Sequence, residues 1–236
     1  RPGTVGDRPG NFTVQNSDLL IILGCRLNIR QISYNWKEFA PKAFKIMVDI
    51  DQAELDKPTL KIDYKIKADL KTFIPLFIQK IKDLNYTCTK EHKKYLMWCK
   101  ERVIEYPVVL PEYINKKNKK INPYVFIDEL FKFLDKNDVV ITGNGSACVM
   151  TFQAAKIKQG QRLYTNSGSA SMGYDLPASI GAAIAMKGKR IICLAGDGSL
   201  MMNLQELQTM QGYNLPIKVF ILNNDGYVSI KQTQEA

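Results

Sequence analysis

Two polar clusters in the second half of the chain contain the residue types that bind phosphate and metal ions. Gly196-Asp197-Gly198-Ser199 follows the largely apolar run 190–195, and Asn223-Asn224 follows a second run, 217–222. Apolar residues recur at helical spacing across 199–213, which predicts a helix between the two runs. Strand, glycine turn, helix and strand then bring both clusters to the carboxyl ends of parallel strands, where open α/β sheets bind their ligands.

The side chains of these clusters fit a diphosphate held through a divalent cation. Gly196 and Gly198 let the backbone approach a ligand without an intervening Cβ atom, and the N–H groups that open the following helix are free to bind an anion. Asp197 offers a carboxylate oxygen and Asn224 an amide oxygen. Mg²⁺ prefers one or two such protein oxygens together with phosphate oxygens and water. The clusters therefore predict a phosphate site with a magnesium ion.

This pattern resembles the thiamine diphosphate motif, in which Gly-Asp-Gly is followed by Asn-Asn after about two dozen residues. Here 24 residues separate Gly198 from Asn223. The alternative is an ordinary strand–helix–strand crossover with a glycine turn. The resemblance implies thiamine diphosphate and Mg²⁺ as cofactors, with the metal bound by Asp197, Asn224 and the backbone carbonyl of Gly226.

A second glycine turn, Gly143-Asn144-Gly145-Ser146, lies between a predicted strand at 139–142 and a predicted helix at 147–158. In the family, the corresponding turn meets the diphosphate from the other side. Acetohydroxyacid synthases have Gly-Gln-His there, whereas this chain has Gly145-Ser146-Ala147, which keeps the backbone and hydroxyl donors and lacks the imidazole. Thr233 stands where those enzymes place a tryptophan of the acceptor pocket. Both departures favour a relative with a different substrate.

A loop of small residues, 167–174, leads into a predicted helix at 179–186. By resemblance, Ala170 offers its carbonyl oxygen to the 4′-amino group of the cofactor. Met172 is the wedge beneath the bent cofactor, which gives it a catalytic role; the alternative is a core methionine. The cofactor-binding residues that the resemblance implies are Gly145, Ser146, Ala147, Ala170, Ser171, Met172, Gly196, Asp197, Gly198, Ser199, Asn224, Gly226 and Tyr227.

The first part of the chain, residues 1–85, resembles the second half of the central domain of acetolactate-synthase-like enzymes. Its apolar runs predict strands at 17–24 and 44–51, and its spacing predicts an amphipathic helix at 69–84. The matching pieces are Val14-Gln15-Asn16-Ser17-Asp18, Leu23-Gly24-Cys25-Arg26 and Val48-Asp49-Ile50-Asp51.

Asp49 and Asp51 end the second of these strands. An acidic residue at a strand end can bind a ribose hydroxyl, or it can cap the next turn. In acetohydroxyacid synthases this domain binds FAD, while other relatives use the same domain structurally. The resemblance therefore permits FAD as a further cofactor without requiring it.

Composition and charge exclude other classes of protein. The 236 residues are 45% hydrophobic with a net charge of +10, but the lysines are spread along the chain, and their densest run, 116–120, lies where a solvated linker is expected rather than a nucleic-acid site. No run approaches the roughly 18 apolar residues of a membrane span. The five cysteines are scattered and never spaced as C-x-x-C, which indicates reduced thiols of a cytoplasmic protein.

These features predict an α/β protein of two doubly wound parallel-sheet domains. A partial central domain (1–85) and a truncated thiamine diphosphate pyrophosphate-binding domain (121–236) are joined by a linker (86–120). The implied activity is thiamine diphosphate- and Mg²⁺-dependent decarboxylation of a pyruvate-like 2-oxo acid with carboligation, similar to that of acetolactate synthases. The alternatives are another thiamine diphosphate enzyme, such as a 2-oxo acid decarboxylase or a C–C hydrolase, or a non-catalytic nucleotide-binding module.

In the family, the glutamate that activates the cofactor lies in an N-terminal pyrimidine-binding domain, and the cofactor lies between two subunits. We therefore expect the chain to be part of a much longer protein that works as a homodimer or homotetramer. We expect the chain alone to be inactive. Nucleic acid and membranes are not expected partners.

Overall fold

The computed structural model describes residues 2–114 and 120–235, so most of the lysine run 116–120 lies outside the described residues. The chain divides into two compact units, 1–107 and 108–236, and each has its own parallel β-sheet. The predicted α/β class with parallel sheets is therefore confirmed. None of the described helices is long and apolar enough to cross a membrane.

The first unit is built on three parallel strands in the order β1-β2-β3. β1 (Leu19–Leu23) and β2 (Phe44–Asp49) are the two apolar runs that predict strands, and β3 (Tyr64–Lys67) is a short polar strand that the sequence does not reveal. Ile22 and Met47 form the core on one face of this sheet. The helices of the unit are α1 (Arg8–Gln15), α2 (Ile29–Ile32), α3 (Gln52–Leu55), α4 (Leu70–Asp83) and α5 (Lys90–Glu105).

Helix α5 lies within the segment predicted as a linker, yet it packs in the first unit. Thr89 caps this helix, because its hydroxyl accepts a hydrogen bond from the N–H of His92 at 3.2 Å. The hydroxyl of Tyr95 donates a hydrogen bond to the carbonyl oxygen of Thr13 in α1. The structural division therefore comes after Pro107, later than the predicted boundary at residue 85.

The second unit contains four parallel strands in the order β5-β4-β6-β7. Asn122 and Pro123 start its first helix as predicted, because the side chain of Asn122 accepts a hydrogen bond from the N–H of Tyr124 at 2.9 Å. The elements of the unit are α6 (Pro123–Phe133), β4 (Val139–Thr142), α7 (Gly145–Ala154), β5 (Arg162–Thr165), α8 (Asp175–Ala185), β6 (Ile191–Gly196), α9 (Asp197–Met202), α10 (Glu206–Gly212), β7 (Ile217–Leu222) and α11 (Val228–Gln234).

Helices cover both faces of this second sheet. Successive side chains of a strand point to opposite faces. Val140 and Ile192 accordingly pack with residues of α6 and α7, whereas their chain neighbours Val139 and Ile191 pack with α8. All four side chains are buried. The second unit therefore has the doubly wound arrangement that the sequence predicts.

The prediction of a single helix at 199–213 is wrong, because a turn at 203–205 separates α9 from α10. The side chain of Asn203 donates a hydrogen bond to the carbonyl oxygen of Gly173 at 2.6 Å. Its backbone leaves the helical conformation at the same point, with φ −137° and ψ 40°. The apolar spacing continues across this break, so periodicity alone could not locate it.

Candidate functional site

The candidate site lies where the strand order of the second unit reverses. β4 has β5 on one side and β6 on the other, so the chain leaves β4 in one direction and returns on its opposite side. Such a reversal opens a crevice outside the carboxyl ends of the strands. A cavity of about 100 Å³ lies there. The predicted cofactor-binding residues that line it are Gly145, Ser146, Ala147, Met172, Gly196, Asp197, Gly198, Ser199, Asn224, Gly226 and Tyr227.

Two of the three predicted metal ligands are joined directly by a hydrogen bond. Gly196 pairs with Leu222 in the register of β6 and β7, so the residues that follow these strands lie side by side. The Oδ2 atom of Asp197 accepts a hydrogen bond from the N–H of Gly226 at 2.8 Å. Its Oδ1 atom accepts one from the N–H of Gly198 at 3.0 Å. The carboxylate is thus held in place at the ends of both strands.

Asn224, the third predicted ligand, has a side-chain oxygen that no described residue satisfies. Its Oδ1 atom is buried and accepts no hydrogen bond from the described part of the chain. A buried polar atom without a partner costs stability, and a bound cation would remove that cost. No cluster of three His, Cys, Asp or Glu side chains suits a metal within 2–114 or 120–235. A site with one carboxylate, one amide oxygen and a carbonyl is the type that Mg²⁺ occupies beside phosphate.

The backbone around this crevice leaves room for an anion. A Cβ atom added at Gly145 or Gly196 would meet nothing within 4 Å. Helices α7 and α9 begin at these turns, and neither N-cap residue makes a side-chain capping hydrogen bond, although Asp197 already accepts one from the N–H of Gly198 in α9. The first N–H groups of a helix need such partners, and a phosphate can supply them. The described residues therefore fit a diphosphate bound with a divalent cation.

Gly198 lines the cavity and also has a packing role that its place in the motif does not predict. A Cβ atom there would lie 2.9 Å from Cε1 of the Tyr227 ring. The ring of Tyr227 therefore packs on the backbone of Gly198. This glycine is needed for the packing of a side chain, whereas Gly196 leaves open space for a ligand.

Ala170 and Ser171 do not line the cavity. Ala170 has a left-handed backbone, with φ 55°, and its carbonyl oxygen accepts a hydrogen bond from Nδ2 of Asn144 at 2.7 Å. Asn144 stands at the N-cap of α7 but does not cap it. No local pattern predicts this contact, because its partners are 26 positions apart. The carbonyl that the resemblance assigns to the cofactor is thus oriented by an amide from the neighbouring turn.

The loop that contains Met172 is hydrogen-bonded to residues in and just after α9 through Gly173. The N–H of Gly173 donates to Oγ of Ser199 at 2.8 Å, and its carbonyl accepts from Asn203 at 2.6 Å. Gly173 has φ 80°, and a Cβ atom there would lie 2.9 Å from Cβ of Met202. Only glycine fits this close approach. Met172 is therefore held half-buried at the cavity wall.

Asp175, the first residue of α8, is a buried carboxyl that the sequence did not single out. It has no exposed surface, and its Oδ2 atom accepts no hydrogen bond from the described residues. Burial raises the pKa of this carboxyl, while the hydroxyl of Ser199 and the N–H of Leu176 lower it by less. Burial also raises the pKa of the Cys193 thiol, and the nearby Asp175 carboxyl raises it further. The resulting pKa is about 12, so the thiol stays neutral.

Asp175→Asn is expected to gain stability relative to the parent protein as the pH rises from about 4 towards neutrality. Because burial raises the folded-state pKa above its ordinary value of 3.8, the folded carboxyl keeps a proton that the unfolded one has lost. The stability of the parent therefore falls as the pH rises through this window. Asparagine has no such proton. Denaturant midpoints of both proteins, measured across this pH range, test the expectation.

Asp128→Asn is the matched control with the opposite sign. Burial of Asp128 raises its pKa, but the ammonium groups of Lys156 and Lys132 together lower it below its ordinary value. The ion pairs of Asp128 add stability above the unfolded-state pKa that is lost as the pH falls. Asp128→Asn should therefore become less stable relative to the parent protein as the pH rises. The same direction of change in both variants would contradict the burial argument for Asp175.

At the strand end of the first unit, Asp49 and Asp51 accept hydrogen bonds from the backbone of the next turn. The Oδ1 atom of Asp49 accepts a hydrogen bond from the N–H of Asp51 at 2.9 Å. Asp51 in turn caps α3, because its Oδ1 atom accepts from the N–H of Ala53 at 2.9 Å. Both carboxylates therefore stabilise a turn, which is the second of the two predicted roles.

The fold and the site define an α/β protein whose doubly wound sheet has, at its switch point, a crevice that fits a diphosphate group. Residues 143–236 match the family model described as "Thiamine pyrophosphate enzyme, C-terminal TPP binding domain". Residues 1–77 match the model described as "Thiamine pyrophosphate enzyme, central domain". The chain belongs to the thiamine pyrophosphate enzyme family.

Similar proteins include large subunits of acetolactate synthase. The chain is 38% identical over 239 residues to the acetolactate synthase large subunit of Cyanidium caldarium, covering 99% of this chain and 39% of that protein. It is 32% identical over 235 residues to the acetolactate synthase isozyme 1 large subunit of Escherichia coli (strain K12), covering 98% of this chain and 39% of that protein. The chain thus spans about two fifths of the length of these relatives.

Proposed function

We propose that the protein carrying this chain is a thiamine diphosphate- and Mg²⁺-dependent enzyme. It would decarboxylate a 2-oxo acid such as pyruvate and join the remaining fragment to a second carbonyl compound, the activity for which its relatives are named. The observation that carries the proposal is the buried Oδ1 atom of Asn224, which accepts no hydrogen bond from the described residues and belongs to the same cavity lining as Asp197. The pair offers a magnesium ion two oxygens at the mouth of an anion-binding crevice.

The residues of the second unit would divide the work of holding the cofactor. Asp197, Asn224 and the carbonyl of Gly226 would bind Mg²⁺, although that carbonyl also accepts a hydrogen bond from the N–H of Val228 at 2.8 Å. The opening N–H groups of α7 and α9 would bind the diphosphate. Met172 would support the bent cofactor from the cavity wall. Thiamine diphosphate itself supplies the carbon nucleophile and the electron sink, so the protein's part is binding and orientation.

We also propose that the protein is at least a homodimer and is cytoplasmic. Met201, Met202, Leu204 and Leu207 lie on and after α9, and each side chain is more than one third exposed. Contiguous exposed apolar side chains beside a site are typical of a surface that another chain or domain covers. The five cysteines are all free, which supports a reducing compartment.

A second candidate is a thiamine diphosphate enzyme without the ligation step, either a 2-oxo acid decarboxylase or a C–C hydrolase. Ala147, which stands in place of a histidine, is buried with 1% of its surface exposed. Thr233 donates its hydroxyl hydrogen to the carbonyl oxygen of Ser229 at 2.9 Å on the exposed α11. These two small side chains would leave a different acceptor pocket from one shaped by a tryptophan and an imidazole.

Product analysis with pyruvate as the only substrate tests the proposal. We expect the complete protein with Mg²⁺ and thiamine diphosphate to release CO₂ and form acetolactate. Acetaldehyde as the main product would favour the decarboxylase. The same assay after removal of Mg²⁺ with a chelator is the control and should show no turnover. A protein that binds thiamine diphosphate but turns over no 2-oxo acid would support the non-catalytic alternative.

A further inference from the structure

We propose that Asn144 and Asn203 are positioning residues of the cofactor site: their side-chain amides hold the segment 170–173 at both ends and thereby fix the place of Met172. The inference rests on the proposed function in taking Met172 as the support of the bound cofactor. Asn144 lines the cavity, whereas Asn203 does not. Asn203 can therefore act on a ligand only through the segment that it holds.

The two amides bind carbonyl oxygens at opposite ends of this segment. Nδ2 of Asn144 donates to the carbonyl oxygen of Ala170 at 2.7 Å, and Nδ2 of Asn203 donates to that of Gly173 at 2.6 Å. Nε2 of Gln205 donates to Oδ1 of Asn203 at 3.3 Å, which orients this amide so that its N–H groups face the segment. The two residues between the bonded carbonyls are thus held from both sides.

Each asparagine belongs to an element that also shapes the diphosphate crevice. Asn144 stands at the N-cap position of α7, where its side chain makes no capping bond and bonds to the segment instead. Asn203 is the C-cap residue of α9, the helix that begins at Asp197. The segment is therefore bonded to both elements that would bind the diphosphate. The two bonds set the distance from these elements to Met172.

The backbone conformation of the segment needs such support. Ala170 has φ 55° and Gly173 has φ 80°, values in the left-handed region, which costs energy for any residue with a Cβ atom. An alanine stays there only where its surroundings hold it, and such residues are typical of ligand sites. The bond from Asn144 provides this support at Ala170, and the bond from Asn203 fixes the carbonyl of Gly173. The position of Met172 between them depends on both bonds.

The test compares Asn144→Ala and Asn203→Ala with the matched control Gln161→Ala in the complete protein. Nε2 of Gln161 donates to the carbonyl oxygen of Asp135 at 2.8 Å, and Gln161 precedes β5 at the amino end of the strands. The control thus loses the same kind of bond in the same unit, away from the crevice. Hydrogen exchange of 166–176 in the cofactor-free protein should become about three- to tenfold faster in both asparagine variants, as expected for loss of one ordinary hydrogen bond. It should stay at the parental rate in Gln161→Ala.

Turnover at saturating Mg²⁺ and thiamine diphosphate separates positioning from packing. We expect turnover to fall about 10- to 100-fold in each asparagine variant, with calorimetric affinity for thiamine diphosphate within about threefold of the parent. Gln161→Ala should lose stability and keep turnover within about twofold. In a Met172→Ala background, each asparagine replacement should slow turnover by less than about threefold, because the side chain that it positions is already absent.

Parental turnover in either asparagine variant, or fully additive losses in the Met172→Ala background, would overturn the inference. If an alanine variant does not fold, Asn144→Asp or Asn203→Asp takes its place, since an ionised carboxylate has nearly the same shape and cannot donate a hydrogen bond. A parent protein that neither binds thiamine diphosphate nor turns over a 2-oxo acid would overturn the proposed function, and that result is read from the parent alone. The hydrogen-exchange comparison needs no cofactor, so it decides in either case whether the two amides hold the segment.

Discussion

Asp197→Ala is expected to abolish the Mg²⁺-dependent binding of thiamine diphosphate while the protein stays folded. Asp197 is the only carboxylate that lines the cavity among the described residues, and a divalent cation beside phosphate needs at least one such oxygen. We expect the affinity to fall by about 100-fold or more, since loss of an outer-shell partner alone costs about 10- to 100-fold. Calorimetric titrations with and without Mg²⁺ measure the loss directly.

Two further variants separate the loss of a metal ligand from the loss of a turn. Asp197 also accepts hydrogen bonds from Gly198 and Gly226, so Asp197→Asn, which keeps one acceptor oxygen, should bind more tightly than Asp197→Ala. Asp225→Asn is the matched control, because Asp225 is a carboxylate of the neighbouring turn whose side chain is 76% exposed and pairs with Lys120. Its removal should change the affinity by less than about twofold, as expected for an exposed ion pair. Parental affinity in Asp197→Ala would refute the metal assignment.

The residues that the sequence predicts best are those whose role follows from local spacing. Asp197 comes directly after β6 and Asn224 comes two residues after the end of β7. Two parallel neighbours in a sheet place such residues at one edge. The motif therefore predicts both the oxygen-bearing side chains and their position at one edge of the sheet. β6 and β7 were also predictable, because their largely apolar runs lie between turn residues.

The contacts that the sequence could not predict join residues distant in the chain. Asn144 binds the carbonyl of Ala170, and Asn203 binds that of Gly173. Asparagine takes no part in the hydrophobic periodicity of helices and strands. From sequence alone it usually indicates a helix cap or a turn. Asn144 stands at an N-cap without capping it. Such side chains are recognised only when the loops that they join are seen together.

Asp175 shows why a buried acidic residue is hard to detect from sequence. At the first position of a helix, an aspartate is ordinary because it interacts favourably with the helix dipole. The local pattern therefore gives it a sufficient explanation. Its contact with Gly143 depends on the packing of α8 under β4, which no local pattern encodes. Its burial became evident only from the folded chain.

Met172→Ala is expected to slow turnover of the complete enzyme about 100-fold, the order of effect that misplacement of a reacting group by 1 Å produces. Affinity for the cofactor should stay within about threefold, because diphosphate and metal contacts dominate it. The backbone beside Met172 should not move, since Gly173 stays bonded to Ser199 and Asn203. Turnover at saturating cofactor and calorimetric affinity are the two measurements.

Two further variants, Met210→Ala and Met172→Leu, test whether turnover depends on a bulky apolar side chain at the cavity wall. Met210 packs against a buried cluster of the second unit away from the cavity, so its truncation should lower stability and leave turnover of the folded enzyme near that of the parent. Met172→Leu keeps a bulky apolar side chain and should restore most of the turnover. Strong loss of cofactor affinity with normal turnover in Met172→Ala would instead make Met172 an ordinary packing residue. Because the wedge acts on the bound cofactor's shape and the anchors act on its binding, turnover and affinity must separate if both assignments are right.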